Sequence, residues 1–300
     1  MSEMYRFAHE RDVSRIIEII GKIKDDRTVI MAPKIGNSKG TRDTKLRVYS
    51  YGGRIIELST TKQAKCCYLP DKNYVPAGYT AQTGVIRFED LDENKIREAI
   101  SFAEKRANGE KKTYEERSVE TALIYKNRAQ KDAEAIIVDM EFECPKDWLG
   151  EVVKMRNNKK SETGKPDLVI YDKSDKSFGI VELKCMDKNC GNMEKHFVDF
   201  VNMVKSEKIC LIKQEFVRKI KYLEHYGIIS GLSDEDLCEA ESSDVWMAFL
   251  FVGGDFDFDK CQKRYENTRI CDIIDRKCFG FQYYQSLDCD MDFSKKAFEL

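Results

Sequence analysis

A chain of 300 residues is long enough for one large domain or two modest ones, and two are expected here. Hydrophobic residues make up 42% and charged residues 35%, which excludes a disordered chain, and no stretch approaches the roughly 20 consecutive apolar residues of a membrane helix. The 51 Lys and Arg against 53 Asp and Glu leave a net charge of −2, so nucleic acid can be attracted only by a local basic patch. Glu3, Arg6, His9, Glu10, Arg11 and Asp12 form no signal-peptide apolar region, so a cytoplasmic protein with no membrane partner is expected.

In chain order, Val13, Ile16, Ile17, Ile19, Ile20 and Ile23 recur near helical spacing and predict a helix over 12–24, followed by a short strand over 28–32. Runs at 45–50 and 54–60 read as strands joined tightly at Gly52-Gly53. Weaker strands are predicted at 65–69 and 84–88. Ile96, Ala99, Ile100 and Ala103 then mark an amphipathic helix over 90–107, which Asn108-Gly109 would end. The polar stretch that follows sets a domain boundary near 110.

The second half opens with a helix over 114–131, its apolar face including Val119, Ala122, Leu123 and Ala129. Strands are predicted at 135–143, 167–171 and 178–183, then a long helical pattern over 192–226 and a buried strand over 245–252. A further strand over 278–286 closes the chain. This order predicts a mixed α/β sandwich, its sheet covered by helices. Asp255, Asp257 and Asp259 alternate with Phe256 and Phe258 but lack the glycine and distal glutamate of a calcium loop. Gly36 to Thr41 has the wrong spacing for a phosphate loop. The 11 cysteines are an odd and scattered set; neither Cys66-Cys67 nor Cys185 with Cys190 has a second pair at a zinc-finger interval, so reduced thiols are expected.

Two apolar strands carry charges where burial would be costly. Gly164-Lys165-Pro166-Asp167 leads into one, and the other ends Val181-Glu182-Leu183-Lys184. Alternation puts Glu182 and Lys184 on one face, and Asp167 joins them if the strands are neighbours. Adjacent buried carboxylates call for a cation, and a hard divalent ion with oxygen ligands, Mg²⁺ or Mn²⁺, meets that need. Such an ion beside a lysine suits phosphodiester hydrolysis: the metal activates water and polarises phosphate, while the ammonium offsets developing charge. A Glu-x-Lys triplet alone is common on solvated strands.

Pro166-Asp167 and Glu182-Leu183-Lys184, separated by fourteen residues and set in the helix, three strands, helix, strand order, resemble the two motif halves of the PD-(D/E)XK nuclease superfamily. The resemblance covers about 115–255. It implies a restriction-endonuclease-like core, metal ligation by Asp167, Glu182 and the Leu183 backbone carbonyl, and a catalytic role for Lys184. The expected architecture is thus an N-terminal α/β domain over 1–110 and a nuclease-like domain over 111–300. Family members often add a glutamate from the preceding helix, where Glu115, Glu116 and Glu120 are candidates; Glu120 flanks the apolar stripe and is the first choice, though Glu115 fits its centre as well. Lys195, His196 and Asp199 open the next helix, where substrate-contacting polar groups are placed in the family.

Lys154, Arg156, Lys159, Lys160 and Lys165 lead into Asp167 and would form the basic patch for phosphate. The expected activity is hydrolysis of nucleic acid, DNA favoured over RNA, in restriction, repair or antiviral defence. Double-strand cutting by a single-site enzyme would favour a homodimer. The rival expectation is a nuclease-like module that binds nucleic acid or a protein without cutting.

Overall fold

The computed structural model describes residues 10–23, 25, 27–32, 46–58, 66–67, 91–108, 113–150, 165–185, 193–253, 263 and 279–298. The chain is α/β, with one antiparallel and one mixed sheet, each accompanied by helices. It divides into two compact units: Met1–Ala129 with Ile220–Ser230, and Gln130–Lys219 with Gly231–Leu300. The predicted strand over 84–88 and the acidic run 255–259 lie outside the described residues. No helix among the described residues is long and apolar enough to cross a membrane.

The first unit holds helix α1 (Glu10–Ile23), strands β1 (Thr28–Met31), β2 (Leu46–Ser50), β3 (Gly53–Leu58) and β4 (Cys66–Cys67), then α2 (Glu93–Ala107) and α3 (Thr113–Ala129). The four strands form an antiparallel sheet in sequential order. Tyr51 and Gly52 carry φ of 48° and 75°, the paired left-handed geometry of a two-residue hairpin turn. The glycine is also required sterically, because a Cβ there would collide with Arg117 of α3. α1 buries Val13 and Ile16, and α2 buries Ile96, Ala99, Ile100 and Ala103, as their spacing predicts. The Arg128 guanidinium donates to the Ile30 carbonyl at 2.6 Å, tying α3 to β1.

The second unit is built on β5 (Ala135–Met140), β6 (Leu168–Asp172), β7 (Ser177–Cys185), β8 (Trp246–Val252) and β9 (Phe279–Tyr284), in that spatial order. β5, β6 and β7 are antiparallel neighbours; β8 lies parallel to β7, and β9 parallel to β8. Between β7 and β8 come α4 (Met193–Val204), α5 (Ile209–His225) and α6 (Asp234–Ser242). The single helical pattern predicted over 192–226 is broken because Ser206 intervenes: its side chain accepts from Lys208 N at 3.1 Å and its carbonyl from Ile209 N at 3.1 Å, starting a new helix. α6 was not among the predicted elements; Ser233 caps it by accepting from Asp236 N at 3.1 Å.

One face of this sheet is packed by aromatic contacts. Phe216 of α5 meets Phe178 at 5.3 Å and Phe142 at 4.9 Å, and Phe197 of α4 meets Phe249 at 5.0 Å. On the other face Trp246 lies against Phe298, 5.4 Å between ring centroids, and its ring covers Gly179, where any Cβ would collide with the indole. Asp172, fully buried at the end of β6, accepts from Ser174 N (2.8 Å), Asp175 N (3.0 Å) and Lys295 N (2.5 Å), and so joins the β6–β7 turn to the C-terminal segment.

α5 also carries a buried charge network. Lys219 Nζ lies 2.9 Å from Asp139 of β5, with both side chains 0% exposed, and Glu215 pairs with Arg218 one turn away. Replacing one member strands the other in a low-dielectric interior. Lys219→Met is therefore expected to lower stability by about 3–5 kcal/mol in chemical denaturation, and the double change Asp139→Leu/Lys219→Met to recover most of it. A single-variant loss below about 1 kcal/mol would show the pair to be indifferent.

Candidate active site

The register of β6 and β7 assembles the charged residues. Leu168 pairs with Val181 at the end of the ladder, and alternation directs Asp167, one residue before it, to the face that carries Glu182. Asp167 stands just before β6 and is pinned from both sides. Its carbonyl accepts from Glu141 N at 2.8 Å, and its Oδ2 accepts from Leu183 N at 2.7 Å. Pro166, without an N–H to leave unpaired, sits at the strand entrance where proline is tolerated.

Glu182 is the unusual residue. Its side chain is only 3% exposed, inside a strand whose neighbours Ile180, Val181 and Leu183 are fully buried. Alternation places Lys184 on the same face, and its Nζ lies 2.6 Å from Glu182 Oε1. His196, on the first turn of α4, brings Nδ1 to 3.0 Å from that same oxygen. Glu182 Oε2 is buried and has no hydrogen-bond partner among the described residues. One oxygen thus accepts from Lys184 and lies 3.0 Å from His196 Nδ1, while its twin has no hydrogen-bond partner among the described residues, a costly arrangement for a buried carboxylate unless a cation stands against it.

Glu182, Lys184 and His196 are therefore brought together, and Asp167 is tied to the same strand by the N–H that Leu183 contributes to it. Glu120 is buried on α3, which belongs to the first unit, whereas Asp167 and Glu182 belong to the second; Glu116 is half-buried on the same helix. The side chain of Glu115 and residues Lys154, Arg156, Lys159 and Lys160 lie outside what is described. Lys165 is engaged by carboxylates, 3.2 Å from Glu141 and 3.7 Å from Glu143, so a phosphate would have to compete with them. Among the described residues no group of three or more His, Cys, Asp or Glu side chains converges in metal-ligating geometry.

Two other reactive side chains of this unit are held in their neutral forms. Burial, then Asp147, pushes the Cys144 thiol up to about 12, and burial, then Asp236, raises the Tyr171 hydroxyl to about 12. The contact of His196 with Glu182 joins residues from α4 and β7, so spacing alone did not reveal it. Asp139 had a visible signal, a lone charge within an apolar strand, but its partner lies on a distant helix.

Compared with family models, curated proteins and solved structures, the chain yields no significant match.

The two functions of the Asp167 side chain, hydrogen-bond acceptor and charge, can be separated. Asp167→Asn keeps an acceptor for Leu183 N and should hold wild-type stability within about 0.5 kcal/mol, while Asp167→Ala strands that N–H and should cost about 1–2 kcal/mol. Equal stability of the two variants would show that the bond to Leu183 contributes nothing.

Proposed function

We propose that the second unit is a metal-dependent nuclease of the PD-(D/E)XK type that hydrolyses phosphodiester bonds, with DNA the favoured substrate. The observation that carries this reading is the buried Oε2 of Glu182, without a hydrogen-bond partner among the described residues, on a strand whose next residue, Leu183, holds the Asp167 carboxylate. The strand arrangement supports it: three antiparallel strands followed by a fourth parallel to the third is compatible with the core that the motif resemblance implies.

Mg²⁺ typically uses one or two protein carboxylates and keeps several waters, so a two-carboxylate site needs no third acidic side chain. Asp167, Glu182 and the Leu183 carbonyl would hold Mg²⁺ or Mn²⁺. When bound, such an ion polarises a phosphoryl oxygen and acidifies a coordinated water. Lys184 supplies the mobile positive charge: its ammonium, held on the site face by Glu182, can donate to the attacking water and offset negative charge as the phosphate reacts. Lys154, Arg156, Lys159 and Lys160, which precede Pro166-Asp167 in the chain, would neutralise neighbouring phosphates, and a homodimer would offer one site to each strand of a duplex.

Plasmid, linear and single-stranded DNA incubated with Mg²⁺, Mn²⁺ or EDTA test the proposal. Cleavage is expected with either metal and none with EDTA, and Lys184→Ala and Asp167→Asn should each reduce the rate by about 10²-fold or more. Cutting that survives both EDTA and Lys184→Ala would place the chemistry elsewhere. Inactivity on every substrate would leave a nuclease-like module that binds without cutting.

A further inference from the structure

We propose that His196 is a positioning residue for the metal-binding carboxylate: it holds Glu182 by one oxygen so that the other stays presented to the divalent ion. This rests on the nuclease reading above and assigns a function to a side chain that reading does not need.

The geometry is specific. His196 Nδ1 lies 3.0 Å and Lys184 Nζ 2.6 Å from Glu182 Oε1, while Oε2 stays buried without a hydrogen-bond partner. A glutamate carboxylate turns easily about its last torsion, and its two oxygens are chemically equivalent. Two nitrogens gathered against one oxygen remove that freedom and decide which oxygen remains for a cation.

His196 is also better placed than Lys184 for a permanent hold. The imidazole is short, and its backbone is anchored by the next residue, Phe197, whose ring packs 5.0 Å from that of Phe249. Phe249 is the register partner of Glu182 on β8, so donor and acceptor are fixed to the same packed layer. Lys184 has a long flexible stem and, in the proposed reaction, turns toward water and phosphate. When it does, His196 still restrains Oε1. Groups that hold a metal ligand from behind in this way typically change metal affinity by about 10–100-fold when removed.

The test uses the full chain, with no substrate present, and measures Mn²⁺ binding by electron paramagnetic resonance alongside thermal melting. His196→Ala should weaken Mn²⁺ binding about 10-fold with the melting temperature shifted by no more than roughly 2 °C, because the side chain is partly exposed. His196→Asn, whose amide N–H can reach Glu182 from nearly the Nδ1 position, should restore affinity to within about threefold of wild type. Wild-type affinity in His196→Ala would overturn the inference, and so would equal weakness of the Ala and Asn variants, which would assign the effect to ring packing. If wild type itself takes up no Mn²⁺, the nuclease reading fails and this inference with it; a wild type that binds Mn²⁺ and cuts DNA while His196→Ala binds it equally well removes this inference alone.

Discussion

A carboxylate inside an apolar strand is the constraint on which the second unit turns. Burying Glu182 among Ile180, Val181 and Leu183 costs several kcal/mol unless its charge is met. Lys184 and His196 meet it at one oxygen only. What surrounds that carboxylate can be understood as support for a half-compensated charge: the strand that carries it, the helix that brings His196 and the neighbouring strand that presents Asp167. An apolar residue at position 182 would have made a simpler core. Retaining a charge there makes sense where a cation uses it.

The fold converts strand geometry into chemical geometry with few degrees of freedom. The β6–β7 register brings Asp167 to the face of Glu182, period-two alternation adds Lys184, and the parallel pairing of β7 with β8 puts Phe249 beside Glu182, where α4 docks. A slip of one residue in β7 would turn Glu182 and Lys184 to the face covered by Trp246 and Phe298. Two features resist such a slip. The turn over 173–176 is fixed by Asp172, and Gly179 is matched to the indole of Trp246. Core packing and site alignment are therefore one problem, and mutations at Asp172 or Gly179 would be felt at Asp167.

Much of this was legible in the sequence, for identifiable reasons. The strands around 167–171, 178–183 and 245–252 are apolar runs bounded by turn residues, and the structure has β6, β7 and β8 there. Glu182 and Lys184 on one face follow from alternation alone. The break between α4 and α5 was hidden because apolar spacing continues across it, although Ser206 caps the start of the new helix there. α6 was overlooked although Ser233 followed three residues later by Asp236 is a start signal. The pairs Lys219 with Asp139 and His196 with Glu182 depend on tertiary proximity, which no local pattern encodes. The first unit shows its helices and hairpin plainly, but among its described residues no comparable set of charges points to a chemistry.

The central claim is that Asp167 and Glu182 share one divalent ion. Crystals of the wild-type protein soaked in Mn²⁺ and measured at the manganese absorption edge test it most directly. The account predicts an anomalous peak about 2–2.5 Å from a carboxylate oxygen of Asp167 and from Glu182 Oε2, with Lys184 Nζ withdrawn from the ion. A saturating soak that leaves the space between those two carboxylates without a peak, or that puts manganese only on other side chains, would contradict it.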